Sequence, residues 1–140
     1  MSVKINCIDT NDTESAFAVC KYACAELAQR GVDAIEISGG SGVNTVETSA
    51  GYIESIYQDY AAEIASAVDV PIILVNKNRT PKVMTEILNT TGIEYFSLSR
   101  PLLCQPDLVN IWEKNGEQKP KCISCGKCFG EDDNMCIFNR

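Results

Sequence analysis

Short apolar runs alternate along the chain with longer segments in which apolar residues recur every three or four positions. A short apolar run bounded by turn-forming residues predicts a buried strand, and the wider spacing predicts a helix with one apolar face. We therefore expect strands at residues 3–8, 33–38, 71–75 and 93–98. Each strand is followed by a helical segment, of which residues 53–68 carry the longest apolar stripe.

The predicted order is four consecutive strand–helix units, each of about thirty residues, as in βαβ proteins. Mostly apolar strands, without strict alternation, indicate a parallel sheet that is covered on at least one face. Two α/β architectures share this pattern. One is a small doubly wound sheet, which is complete in itself, and the other is four units of a (βα)₈ barrel, which is not. The pattern leaves this choice open.

Local signals mark the ends of two helices and of the α/β part. Gly31 is the expected C-cap of the first helix, and Thr80 and Pro81 are the expected N-cap and first residue of the third. A polar linker begins at residue 116, and the segment after it has neither helical nor strand periodicity. We therefore predict two parts, residues 1–115 and 116–140.

Composition narrows the function classes. The 140 residues contain 12 Lys and Arg against 19 Asp and Glu, with no basic run, which argues against a nucleic-acid partner. No apolar stretch is long enough to span a membrane, and no signal peptide is evident, so we expect a cytoplasmic protein. The chain contains no His, so it cannot itself supply His-based acid–base catalysis or a Cys/His zinc site.

Eight cysteines are many for this length, and four of them crowd the end of the chain. Their spacing is C-x₂-C-x₂-C, followed by one more cysteine further along the chain. The three closely spaced thiolates suit three irons of a [4Fe–4S] cluster, and the fourth thiolate suits the remaining iron. A zinc site and free or disulfide-bonded thiols remain alternatives. The candidate metal ligands are Cys122, Cys125, Cys128 and Cys136. The other four are expected to be small buried hydrophobes, namely Cys7, Cys20, Cys24 and Cys104.

Five sequence strings, in order, resemble the second half of the old yellow enzyme family. They are VKIN, GVDAIEISGG, VPIILVNKNRTP, YFSLSRPLLCQPDL, and CISCGKC with a later CIFN. The similarity is strongest to the iron–sulfur branch that includes 2,4-dienoyl-CoA reductase and trimethylamine dehydrogenase. The resemblance implies an α/β half TIM barrel, with four βα units corresponding to strands five to eight and a C-terminal cysteine-rich segment.

The resemblance also implies FMN, a [4Fe–4S] cluster on the four cysteines, and NAD(P)H as the electron donor. Barrels of this kind often hold a phosphate in the loops after strands seven and eight, where Arg79 and Arg100 have the required charge. Without the resemblance, Arg79 and Arg100 could simply be solvated residues at helix starts. The glycine-rich run at residues 39–42 could then be a flexible connection. Lys4 aligns with the basic residue that faces the flavin N1/C2 edge in this family. The residues so assigned to the flavin are Lys4, Gly39, Gly40, Asn76, Lys77, Asn78, Arg79, Ser99 and Arg100.

The sequence departs from the family pattern at the expected phosphate site. The family has Gly-Gly after the seventh strand and Gly before the arginine that follows the eighth. Here those positions hold Asn76, Lys77 and Ser99. Asn tolerates left-handed backbone conformations and Lys77 adds positive charge, but side chains hinder the close approach of backbone N–H groups to a phosphate.

The expected function is the C-terminal part of an FMN-dependent, iron–sulfur NAD(P)H:flavin oxidoreductase of the ene-reductase or dienoyl-CoA reductase type. The family places its proton donor and substrate ligands in the first half of the barrel, so no catalytic residue is assigned here. The expected partners are the flavin, a small-molecule substrate, and either the missing N-terminal half or a second copy of this chain. Two alternatives are a small [4Fe–4S] electron-transfer protein and a non-catalytic zinc-binding interaction module.

Overall fold

A computed structural model describes residues 1–8, 13–39, 53–128 and 135–139. Four strands alternate with helices, and two helices follow the last strand. In chain order the elements are β1 (Ser2–Asn6), α1 (Thr13–Gln29), β2 (Ala34–Ser38), α2 (Gln58–Ala65), β3 (Ile72–Leu74), α3 (Pro81–Thr90), β4 (Tyr95–Phe96), α4 (Arg100–Cys104), α5 (Leu108–Asn115) and a 3₁₀ turn (Ile137–Asn139).

The four strands form one parallel sheet in the order β1-β2-β3-β4. One row of directly paired residues crosses the whole sheet, from Lys4 through Glu36 and Ile73 to Tyr95. A doubly wound sheet reverses its strand order at a switch point, whereas this order runs in one direction. The α/β class and the parallel sheet are confirmed, and the strand order is compatible with part of a barrel.

The main core lies against one face of the sheet. The strand residues in it all point to the same face of the sheet, with Ile35 and Ile37 from β2 and their partners Ile72 and Leu74 from β3 fully buried. The first three helices contribute the other side of this core. Helices accumulate on one face when consecutive crossovers have the same hand and run in the same direction. Strand residues that point to the opposite face of the sheet are more exposed, notably Lys4 and Tyr95.

The predicted helix ends agree with the structure at three positions. Gly31 has a left-handed φ of 82° two residues after the end of α1, and Pro81 begins α3 directly after Thr80. One predicted helix was wrong in extent, because the stripe from residue 53 to 68 becomes helical only at Gln58. The helical segment expected after the last strand is present as α5, with the short α4 before it. Pro106 lies between these two helices and lacks the N–H that a continuous helix would require.

Among the described residues, no helix combines the length and the apolar character needed to cross a bilayer.

Candidate functional site

A cavity of about 340 Å³ opens at the carboxyl ends of the strands. Ligand cavities are typically in the range of roughly 300–1,000 Å³. Seven of the nine residues that the sequence assigned to a cofactor line this cavity: Lys4, Asn76, Lys77, Asn78, Arg79, Ser99 and Arg100. The structure therefore brings together residues from three separate strand–loop segments. The sequence reasoning missed Ser38, Val75, Ser97, Pro101 and Ser124, which complete the lining.

The cavity lining is cationic. It contains two Lys and two Arg, and none of the described lining residues is Asp or Glu. The Lys4 ammonium lies 2.7 Å from a carboxylate oxygen of Glu36, its direct neighbour in the sheet. The Lys4 side chain is still more than half exposed, so it reaches solvent from the strand. A concave surface with this charge suits an anionic group such as a phosphate.

The loop after β3 turns through the left-handed region at two consecutive residues. Asn76 and Lys77 have φ values of 82° and 57°, both in the left-handed region. Few side chains adopt this region readily, and Asn is among the better tolerated. The Asn76 side chain hydrogen-bonds the buried Tyr57 hydroxyl, and burial raises the pKa of Tyr57. Both residues thus adopt a backbone conformation that glycine would adopt more readily.

Asn78 links three segments around the cavity. Its side-chain N–H₂ group donates to the carbonyls of Leu74 and Ser97, at 2.6 and 3.1 Å, and its carbonyl oxygen accepts from the Ser55 hydroxyl at 2.9 Å. These bonds join the ends of β3 and β4 to the segment before α2. Asn78 therefore shapes the cavity by holding its rim together.

Arg79 connects the α/β part to the cysteine segment. Its side chain is buried, and its guanidinium donates hydrogen bonds to the backbone carbonyls of Pro120 and Cys122. The same side chain lines the cationic cavity. One role of Arg79, which the sequence did not predict, is thus to hold the start of the cysteine segment in place.

Gly39 lies at the end of β2 but does not line the cavity. A Cβ added there would lie 2.1 Å from the Tyr57 ring, so glycine is needed for the tyrosine to pack against the backbone. This contact gives Gly39 a packing role that the sequence did not indicate. Gly40, the other glycine assigned to the cofactor, lies outside the described residues.

A second, much smaller cavity lies beside the first. All four predicted metal ligands line it, and they are Cys122, Cys125, Cys128 and Cys136. The loop between the first three turns through Ser124 and Gly126, which both have positive φ values. Cys125 is exposed and the other three are buried. Among the described residues, no three Cys, Asp or Glu side chains form a ready site for a single metal ion.

The two cavities share part of their wall. Arg100 and Ser124 line both of them. Arg100 begins α4 after the last strand, whereas Ser124 belongs to the cysteine loop. The predicted phosphate arginine therefore contacts the cysteine site as well, and the two candidate sites adjoin each other.

A fifth cysteine lies next to the second cavity. Cys104 packs with Cys122 and Cys136 in a buried cluster that is separate from the main core. Burial, followed by a hydrogen bond to Cys136, raises the pKa of the Cys104 thiol to about 11. Cys104 is therefore buried, as expected of a small hydrophobe, but it packs among thiols outside the main core. Cys7, Cys20 and Cys24 do lie in the main core, as expected.

Hydrogen bonds fix Cys104 among these thiols from two directions. The buried side chain of Gln105 accepts the backbone N–H of Lys121 at 2.6 Å, just before Cys122. The side-chain N–H₂ group of Asn139 donates to the carbonyls of Leu103 and Cys104, at 2.9 and 3.1 Å. The end of α4 is therefore tied to both parts of the cysteine segment. No sequence pattern indicates these contacts, because the partners are 16 to 36 positions apart.

The fold and site thus define an α/β chain with a cationic cavity and an adjoining group of thiols. The chain matches no established protein-family profile. It is 28% identical to a metal reductase of Desulforamulus reducens over 106 residues, which are 74% of this chain and 16% of that protein. It is also 28% identical to a 4,4'-dithiodibutanoate disulfide reductase of Rhodococcus erythropolis over 76 residues, which are 54% of this chain and 19% of that protein.

Both relatives are named as reductases, so the similarity suggests an oxidoreductase family. The identity is low, and the similarity covers less than a fifth of either relative.

Proposed function

We propose that this chain is the C-terminal part of an FMN-dependent, iron–sulfur NAD(P)H:flavin oxidoreductase of the ene-reductase or dienoyl-CoA reductase type. Its four βα units would form half of a (βα)₈ barrel, and the other half would supply the substrate ligands. The names of the two relatives support the redox class. The flavin, the cluster and the barrel are proposed from the residues that line the two cavities.

One observation carries the proposal. Seven of the nine residues assigned to the flavin, from three separate segments, line a single cationic cavity at the carboxyl ends of parallel strands. In (βα)₈ barrels this end of the strands carries the active site, with a phosphate often bound at the last two loops. Arg79 and Arg100 follow the last two strands here, and both line the cavity.

The protein residues would bind and orient the cofactor. Arg100 and Lys77 would offset the phosphate charge, while Asn78 and Arg79 keep the rim of the cavity and the cysteine segment in place. Lys4 would present its ammonium to the flavin edge at the far side, with Glu36 fixing its direction. Bound FMN would supply hydride and single-electron transfer, which the protein positions and tunes.

The cysteine cavity fits a cluster by its donor set. A [4Fe–4S] cluster takes one thiolate at each iron, so its ligands must surround a volume and need not converge on one point. Four thiols line one cavity here, and the positive φ values of Ser124 and Gly126 bend the loop around it. A cluster in this place would adjoin the flavin cavity across Arg100 and Ser124.

Anaerobic purification followed by FMN titration tests the proposal. We expect quenching of flavin fluorescence on binding, and bound iron and sulfide in equal amounts. Arg100→Gln should weaken FMN binding by about tenfold or more, because hydrogen bonds to charged groups contribute about 1.5–3 kcal/mol. The control is Arg30→Gln, which removes an exposed arginine just after α1 that pairs with Glu26.

Three outcomes contradict the proposal in part or entirely. Iron and sulfide without FMN binding would favour the small electron-transfer protein. Zinc in place of iron would favour the interaction module. Equal loss of FMN affinity in both arginine variants would show that the cationic cavity is not the flavin site.

A further inference from the structure

We propose that Cys104 and Cys136 form a reversible disulfide bond when the four-cysteine site carries no metal group. This site of oxidative modification goes beyond the proposed function, and it needs neither the flavin nor the missing half of a barrel. The inference starts from the fifth thiol, which the C-x₂-C-x₂-C pattern does not include.

The first step of the argument is the packing of the thiols. Cys104, Cys122 and Cys136 are 5%, 7% and 8% exposed, and they contact each other in one cluster. Such burial excludes most of the water around the sulfur atoms, and the three thiols then have each other as neighbours. All three are free thiols in this structure.

The second step selects Cys136 as the partner. One residue, Asn139, joins the backbones of the two cysteines. Its backbone N–H donates to the carbonyl of Cys136 at 2.9 Å, and its side-chain N–H₂ group donates to the carbonyl of Cys104 at 3.1 Å. A disulfide requires Cβ atoms within about 4.5 Å, so a pair whose backbones are joined through one residue is favoured.

The third step is the chemistry, with a low-molecular-weight disulfide such as oxidised glutathione as the oxidant. The exposed thiolate of Cys125 attacks one glutathione sulfur, which forms a mixed disulfide and releases one reduced glutathione. Cys136 lines the same cavity and attacks the Cys125 sulfur, which releases the second glutathione. Cys104 then attacks the Cys136 sulfur and returns Cys125 to the thiol. Two electrons and two protons leave the protein and reduce one oxidised glutathione to two thiols.

The consequence of the disulfide is a metal site that lacks one of its four ligands. A sulfur held in a disulfide is no longer a thiolate ligand, so oxidation removes Cys136 from the donor set. Reduction by a dithiol restores it. The site would therefore accept a metal group only under reducing conditions, and the empty site would be protected from further oxidation of Cys136.

Peptide mapping of the metal-free chain tests the inference. The chain is treated with oxidised glutathione, its remaining thiols are blocked with N-ethylmaleimide, and it is digested with trypsin and Asp-N protease. Cleavage before Asp132 or Asp133 places Cys128 and Cys136 on different peptides. We expect a linked Cys104–Cys136 peptide that disappears after dithiothreitol treatment. Links confined to Cys122–Cys125 or Cys20–Cys24, or glutathione only at Cys125, would overturn the inference.

Two variants provide the second readout. In Cys104→Ser the reaction should stop at the preceding disulfide, so the peptide map should show a Cys125–Cys136 link in place of Cys104–Cys136. Cys125→Ser should slow formation of the Cys104–Cys136 peptide without changing its identity. A Cys104→Ser chain with no link to Cys136 would contradict the inference. If the reduced chain takes up no iron, the proposed cluster fails, while the peptide map still decides the disulfide.

Discussion

At the scale of single residues, the sequence predicted which side chains meet but not what each one does. Arg79 and Arg100 were expected at one site because they follow strands whose carboxyl ends share an edge. Lys4 was expected there because it aligns with a flavin-facing basic residue of the resembling family, and all three line one cavity. The part that Arg79 plays at the cysteine segment depends on contacts 41 and 43 positions away, with Pro120 and Cys122. No periodicity or spacing encodes such contacts, so they could not be predicted.

Replacing Arg79 should loosen the cysteine segment. Arg79→Gln removes guanidinium hydrogen bonds to the carbonyls of Pro120 and Cys122, at a cost of about 1.5–3 kcal/mol. The buried thiols of Cys122 and Cys136 should therefore react faster with iodoacetamide under native conditions. Arg30→Gln serves as the control, because an exposed ion pair contributes roughly 0–1 kcal/mol. Unchanged alkylation rates in Arg79→Gln would show that Arg79 does not hold the cysteine segment in place.

The buried thiol of Cys7 should make the stability depend on alkaline pH. Burial, with a smaller effect from Cys20, raises the pKa of Cys7 from 9.0 to about 12. The unfolded chain then releases this proton between those values while the folded chain keeps it. The free energy of unfolding should fall by about 1.4 kcal/mol per pH unit for this thiol in that window, with no loss below pH 9. Urea unfolding of Cys7→Ala under reducing conditions should show a shallower decline, and equal slopes would contradict the assignment.

At the scale of elements, local signals predicted where helices begin and end better than how far they extend. Thr80 and Pro81 open α3 as the sequence indicated. The cap itself comes from elsewhere, because the Glu54 carboxylate accepts both the backbone N–H and the hydroxyl of Thr80. A partner 26 positions away cannot be read from a local pattern. The same segment explains why the apolar stripe after residue 53 is not helical from its start, because Ser55 has a φ of 51°.

Removing the Glu54 carboxylate should destabilise α3. A negative charge that caps the first turn also interacts favourably with the helix dipole, so Glu54→Ala should lower the free energy of unfolding by about 1–2 kcal/mol. Glu86→Ala, an exposed position later in the same helix, is the matched control and should change it little. Chemical denaturation of both variants provides the comparison, and indistinguishable midpoints would argue against the cap.

The junction of β2 with the segment before α2 should tolerate no side chain at Gly39. The added methyl group of Gly39→Ala would overlap the Tyr57 ring, so we expect a loss of about 1–3 kcal/mol in unfolding free energy. Gly92→Ala is a milder test of the same kind, because its Cβ would lie 3.2 Å from the Ala65 methyl group. In thermal unfolding, Gly39→Ala should have a lower midpoint temperature than Gly92→Ala. The reverse order would refute this account.

At the scale of the whole molecule, the sequence predicted the class and the number of strand–helix units, but it could not choose between two architectures. The choice depends on the order in which strands pair, and hydrophobic periodicity is the same in both cases. The structure shows an order without reversal and a core on one face of the sheet. Both β1 and β4 are edge strands, which present unpaired backbone groups to another chain.

The isolated chain should therefore self-associate as its concentration rises. Tyr95 lies on the edge strand β4 with 55% of its surface exposed, so Tyr95→Lys should weaken the association by placing a charge there. Tyr22→Lys changes an equally large side chain, 70% exposed on α1, and should leave the association unchanged. Sedimentation velocity over a range of concentrations provides the measurement, and a monomer at every concentration would exclude this behaviour.

The shared wall of the two cavities has a thermodynamic consequence. A ligand that restricts the motion of Arg100 and Ser124 in the larger cavity has already met the entropic cost of ordering them for the smaller one. The affinities of the two sites are then linked, and such linkage is reciprocal: each occupant must strengthen the other by the same factor. Two shared side chains can thus link the affinities of separate cavities, without any movement of the sheet beneath them.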